Sequence, residues 1–186
     1  ILMADPIRLY AEFSDDLGGD WRLNIHEAGY GGSITEFNLG ADGFTMRYSG
    51  DNENRMQPII GSEVTFTLVE NLAQHTTFLE SLATSEDAAY TISIYKDPDG
   101  DNSLFWTGVL LHEQVELQDI SYPISNTLTA VDDLGNLKNV LYNNSGSAYT
   151  GRDTIAEHLV KILNKTRALH VYETTDVFLK YANDFK

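Results

Sequence analysis

The sequence predicts a mainly β domain with α additions: an antiparallel barrel or strongly curved sheet with one packed helix, followed by a C-terminal helix. Apolar and polar residues alternate with period two in segment after segment of the first 141 residues, as half-buried strands require. The alternation gives way once, between Asn71 and Leu82, to helical spacing. The ten Tyr and eight Phe also suit strands better than helices.

The elements follow in order. Leu2–Phe13 reads as a first strand, placed at a sheet edge by Pro6 and open to pairing with a neighbour over Ile7–Phe13. Ser14–Asp20 is a polar, Gly-rich turn, and Trp21–His26 alternates as the second arm of a hairpin. Gly29–Ser33 matches neither the dinucleotide nor the P-loop spacing and reads as a hairpin connection with positive φ. Ile34–Leu39 and Phe44–Tyr48 are predicted strands separated by a turn at Gly40–Gly43. Asp51–Arg55 is a polar loop, and Pro58–Gly61 leads into the cleanest strand, Ser62–Val69, with Val64, Phe66 and Leu68 on one face.

Asn71 is the expected cap of the helix whose stripe is Leu72, His75, Phe78, Leu79 and Leu82. Tyr90–Tyr95 returns to period two, and Asp97–Asn102 turns the chain into the apolar run Leu104–Leu111. A second apolar run, Ile124–Val131, leads into a tight turn or short helical start at Asp132–Gly135. The loose stretch 142–149 marks the boundary between a β-barrel domain at 1–141 and the helix-containing, truncated start of a following domain at 142–186. There Thr150 and Asp153 resemble a capping box, with Ile155, Leu159, Ile162 and Leu163 as the apolar stripe of a helix ending before His170.

Composition narrows the function classes. Of 186 residues, 28 are acidic and 12 basic, giving a net charge of -16 that disfavours nucleic acid and anionic lipid as partners. Such acidity suits divalent cations, a basic partner, or a salt-adapted proteome. With no Cys there is no disulfide, thiol nucleophile or sulfur-ligated zinc. No apolar run reaches membrane-span length, and the opening ILMADPIRLY does not read as a secretory signal. Its Ile start suggests a cut from a longer polypeptide.

Candidate chemistry is sparse. Asp97, Asp99 and Asp101 take the first, third and fifth positions of a calcium loop, but its Gly falls at position four (Gly100) instead of six, and position twelve is Gly108 where a bidentate Glu belongs. A Pro-Asp-Gly turn explains them better. Glu113, Glu116 and Asp119 read as a solvated connection, and His75 and His158 as packed or surface residues. No nucleophile elbow, metal-binding His pair or other catalytic motif occurs, so neither an enzyme nor a cofactor is expected.

The order of signals carries a resemblance. An early Trp21 strand is followed by the block YGGSITEFNLGADGFTMRYSGD, the PIIGSEVTFTL strand, a helix at FLESL, FWTGVLL and ISNTLTAVDDLGNLK. The chain resembles the N-terminal β-barrel region of tail and baseplate hub proteins of tailed bacteriophages and prophages, in which a Phe-Trp-x-Gly strand precedes a Leu-Thr-Ala-x-Asp-x-Leu segment. The matching residues are Phe105, Trp106, Gly108, Leu128, Thr129, Ala130, Asp132 and Leu134; Asp133 departs from the pattern, which more often has Gly there. The likeness spans about Asp20 to Leu163 and implies a tail-tube-like barrel that forms a ring, most simply a homotrimer. That ring would join the tail tube or distal tail ring to the central spike or fibre. The virion tail, assembled in the host cytoplasm, would be its location, with no enzymatic activity, nucleic-acid contact or membrane contact in the resting state. The competing expectation is a non-catalytic carbohydrate- or cell-surface-binding module using Trp21, Trp106, Tyr30 and Tyr48 as platforms. Against it, Trp106 lies inside an apolar run and is expected in the core.

Overall fold

The computed structural model describes residues 6–49, 61–70, 73–115, 123–150 and 153–167, with backbone alone at 42, 49, 70, 73–76 and 114. β1 (Ile7–Ser14) and β2 (Asp20–Glu27) form the expected hairpin, with Phe13 opposite Trp21. The Asp15 carboxylate closes the turn by accepting the N–H groups of Leu17 at 2.9 Å and Gly19 at 2.7 Å. Residues 28–34 are not a second hairpin. They cross over and set β3 (Thr35–Glu36) parallel to β1, pairing with Leu9 and Tyr10. β1 is therefore no simple edge strand, because β3 covers it as far as Tyr10.

β4 (Asn38–Ser49) pairs antiparallel with β5 (Gly61–Glu70). The expected turn at Gly40–Gly43 is instead a bulge within β4. Leu39 faces Leu68 and Phe44 faces Phe66, so pairing with one partner resumes after the interruption. Gly43 takes φ 60 there, and a Cβ on it would lie 3.1 Å from the Phe13 ring.

α1 (Ala73–Ala83) comes next, then β6 (Tyr90–Lys96), β7 (Ser103–Leu110) and β8 (Ile124–Val131). The sheet order is β3-β1-β2-β6-β7-β8-β5-β4. Only Phe37 separates β3 from β4 in the chain, so the two ends of this order are joined covalently and the sheet is nearly a closed barrel. β7 and β8 are staggered, pairing only at Val109↔Val131 and Leu110↔Ala130.

The barrel interior holds Leu23, Ile25, Val64, Phe66, Leu68, Ile92, Ile94 and Leu128, together with Phe78, Leu79 and Leu82 from α1. Each large apolar side chain so buried stabilises the fold by about 1.5–3 kcal/mol relative to exposure. The expected alternation of β5 is realised: Val64, Phe66 and Leu68 face inward.

After β8 a 3-10 turn spans Leu134–Asn139, and α2 covers Ile155–Leu163. The N-cap of α2 is Thr154, paired reciprocally with Glu157, and not Thr150 with Asp153. Glu reaches back to the cap N–H where the shorter Asp does not. Asp153 instead binds Lys161. The expected stripe is not core: Ile155 is 82% exposed and Ile162 36%, while Ala156 is the buried position. Residues 1–5, the loop 50–60, Asn71, Leu72, the His75 side chain, Glu116, Asp119 and the tail from 168 lie outside the described residues.

Candidate functional site

Helix α1 closes one end of the barrel, and Arg8 organises it. The Arg8 guanidinium donates to Glu27 Oε2 at 2.8 Å and to the Tyr90 hydroxyl at 2.7 Å. It also lies over the rings of Tyr30, Phe78 and Tyr90 at 5.3–5.8 Å. Phe78 meets Tyr90 edge-on at 5.6 Å, fastening the helix to the start of β6. Burial pushes the Tyr90 hydroxyl up to about 12, against the counter-pull of Arg8.

The other end is closed by rings from four strands. Phe13, Trp21 and Phe105 all reach Phe44, with centroid separations of 5.8, 5.6 and 6.3 Å, and Trp21 meets Phe105 at 5.1 Å. Trp21 Nε1 donates to Asp15 Oδ2 at 3.0 Å. That bond is the main reason the Asp15 carboxyl sits below its ordinary value.

Between the two ends lies a polar joint built from residues far apart in the chain. Trp106 Nε1 donates to Ser62 Oγ at 2.9 Å, and Ser62 Oγ donates to Asp132 Oδ2 at 2.7 Å. The same carboxylate accepts the Ser62 N–H, and its other oxygen accepts the Leu134 N–H at 3.1 Å. Trp106 thereby covers the flank of β7 where β8 has already ended. Gly108 has to be Gly: a Cβ there would lie 2.3 Å from the Trp106 ring and 2.5 Å from the Val131 carbonyl. Asp133, at φ 63, is buried and grips Arg167 through both carboxylate oxygens, the shortest contact being 2.7 Å. This left-handed position explains a preference for Gly, and Asp occupies it with a partner in hand.

The structure therefore brings Trp106, Gly108, Asp132 and Leu134 into one joint, while Leu128, Thr129 and Ala130 are buried in β8. Phe105 belongs to the aromatic end instead. It is the extra residue of a bulge, with Ile94 opposite Trp106 and Tyr95 opposite Leu104. The bulge turns Leu104 and Phe105 outward, to 40% and 48% exposure, so the start of the apolar run is not core. The Ser62–Asp132 pair that holds Trp106 could not be read from sequence, since its members lie 70 residues apart.

The Asp97–Asn102 segment is a tight turn. The Asp97 carbonyl accepts the N–H groups of Gly100 and Asn102, and Asp97 itself adopts φ 51. Among the described residues no group of three acidic or His side chains converges to hold a metal, so Asp97, Asp99 and Asp101 are not brought together as ligands. Glu113 lies exposed in the 3-10 turn His112–Gln114. His158 Nδ1 is bonded to the Tyr142 hydroxyl.

Of the aromatic platforms, Trp21 is flanked by Phe44, Phe105 and Lys96, Trp106 is buried, and Arg8 lies over Tyr30. Tyr48 is 67% exposed.

A cleft of about 550 Å³ lies between β1 and the β3–β4 segment. β1 and β3 part beyond Tyr10 and Glu36, and Phe13 against Phe44 closes the far end. Glu12, Asp15, Asp16 and Glu36 are among the residues that line it, with Glu12 ion-paired to Arg22. Set against family models, curated proteins and solved structures, the chain matches none of them.

Proposed function

We propose that this chain is a structural subunit of a bacteriophage tail tip or baseplate hub, forming a ring between the tail tube or distal tail ring and the central spike or fibre. One observation supports this reading above the others. Four residues of the hub-like motif, Trp106, Gly108, Asp132 and Leu134, meet at a single joint, where Trp106, Ser62 and Asp132 lock the barrel wall and Asp133 binds Arg167 beyond α2. Such a joint transmits force between the barrel and the segment after it. In this reading its role is mechanical, with the Ser62 hydroxyl and the Asp132 carboxylate bracing the Trp106 indole.

The ring is tested by light scattering of the chain across a salt series. At a net charge of -16, copies repel one another at low salt. Association toward a trimer is expected as the screening length falls to about 8–10 Å near physiological ionic strength. Image reconstruction of virions then locates the subunit. A position on the tail axis supports the hub reading, and one on the outer surface, away from the axis, defeats it.

A further inference from the structure

We propose that copies of this chain associate head to tail, with the α2 face of one docking on the aromatic end of the next. Both surfaces gather exposed apolar side chains. On α2, Ile155 and Ile162 share a face with His158 between them, and the exposed Tyr142 is bonded to His158 through its hydroxyl. At the aromatic end the β7 bulge turns Leu104 and Phe105 outward. Leu17 stands exposed in the β1–β2 turn, which Asp15 ties to Trp21 beside Phe105. Apolar groups gathered in this way, with a polar rim, mark a contact surface.

Charge selects the partner. Residues 1–133 hold 23 of the 28 acidic residues and five of the 12 basic ones, whereas from 134 onward seven basic residues stand against five acidic. Exposed Asp16, Asp20, Asp99 and Asp101 rim the aromatic end, on two turns joined where the Asp97 N–H donates to the Asp20 carbonyl at 2.7 Å. Among the described residues none of the four is ion-paired, and the cation beside them is Lys96, over the Trp21 ring. On the α2 side Lys161 and Arg167 are taken by Asp153 and Asp133. Lys165, which donates to the Asn143 carbonyl next to Tyr142, makes no ion pair among the described residues. Nor does Lys138, exposed in the 3-10 turn that packs beside α2. Two aromatic ends face to face would set like charges together, while the α2 face meets that end with opposite charge. A contact between unlike surfaces leaves one of each free on a pair, so it propagates until a ring closes. The inference deepens the ring reading and rests on it only for that closure.

The test is sedimentation of the whole chain near physiological ionic strength, where repulsion between net charges is screened beyond about 8–10 Å and rim charges in contact are not. Ile155→Glu and Leu104→Glu, both at exposed positions, should each weaken self-association by about tenfold. An equimolar mixture of the two should form pairs and nothing larger, because one intact surface of each kind remains. The chain has no Cys, which allows a second measurement. A flexible bismaleimide should join Leu104→Cys to Ile155→Cys in a mixture about tenfold faster than it joins either variant to itself. Ile155→Cys homodimers formed as fast as the mixed product would mean a symmetric α2 contact and overturn the proposal. Glu variants that associate like the parent chain, or a chain that stays monomeric and gives no mixed cross-link, would overturn it too. Rings that both Glu variants still form would sink this inference and leave the ring reading standing. Mixed cross-linked pairs that never close into a ring would do the reverse.

Discussion

The two ends of the barrel are closed by opposite means. At the α1 end a charged side chain is drawn inside, with Arg8 held between Glu27, Tyr90 and Phe78. At the other end aromatic rings lean on one another, and the polar element is the Asp15 carboxylate on the Trp21 indole. The helix end is sealed, with Phe78, Leu79 and Leu82 all buried. The aromatic end leaves Phe105 half exposed and borders the acidic cleft. One end thus serves stability, and the other keeps surface available for contact.

This contrast can be tested by substitution. Phe78→Ala should cost about 3–5 kcal/mol in denaturant unfolding, as expected for a buried aromatic with little room to relax. Arg8→Ala should cost about 2–3 kcal/mol, because it leaves the partly buried Glu27 carboxylate with the Tyr90 hydroxyl but without its cation. A double-mutant cycle with Glu27→Ala would show whether that loss is coupling between the two groups or lost packing. Phe105→Ala should cost only about 1 kcal/mol, the worth of its ring contacts beyond area. A Phe105→Ala loss as large as that of Phe78→Ala would erase the distinction between the ends.

The ends should also fail at opposite extremes of pH. The folded Tyr90 value of about 12 exceeds its ordinary 10.0, so the unfolded chain ionises first. Stability should fall as pH rises from about 10 towards 12, and Tyr90→Phe should remove that slope. Asp15 is shifted downward, so its contribution is present above its ordinary value of 3.8 and fades as pH falls below it. Trp21→Phe should reduce this smaller acid-side effect, leaving the part that the Gly19 and Leu17 N–H groups supply. Unfolding curves collected across pH for both variants check each half.

The strands were legible wherever period two ran unbroken. β8 matches its expected limits at both ends, and β5 presents the expected apolar face. Reading failed where a bulge shifts the phase. Gly40–Gly43 has the composition of a turn, yet pairing with β5 on both sides keeps the backbone in the sheet. At Phe105 the added residue carries an apolar side chain outward, which composition alone reads as core. The parallel pairing of β3 was also hidden, because two residues carry no period of their own. Within the site, the burial of Trp106 was foreseeable from its run. Its Ser62–Asp132 support depends on a fold-level encounter that no local pattern encodes.

Asp133 carries a consequence for the order in which the protein is made. Synthesis delivers β8 and Asp133 first, and Arg167 emerges 34 residues later. Until then a carboxylate destined for burial has to stay in water, so the chain just beyond β8 cannot settle. Fastening of the stretch just after β8 is in this way made conditional on arrival of the next segment. A nascent chain stopped short of Arg167 would carry all eight described strands and still lack the Asp133–Arg167 fastening.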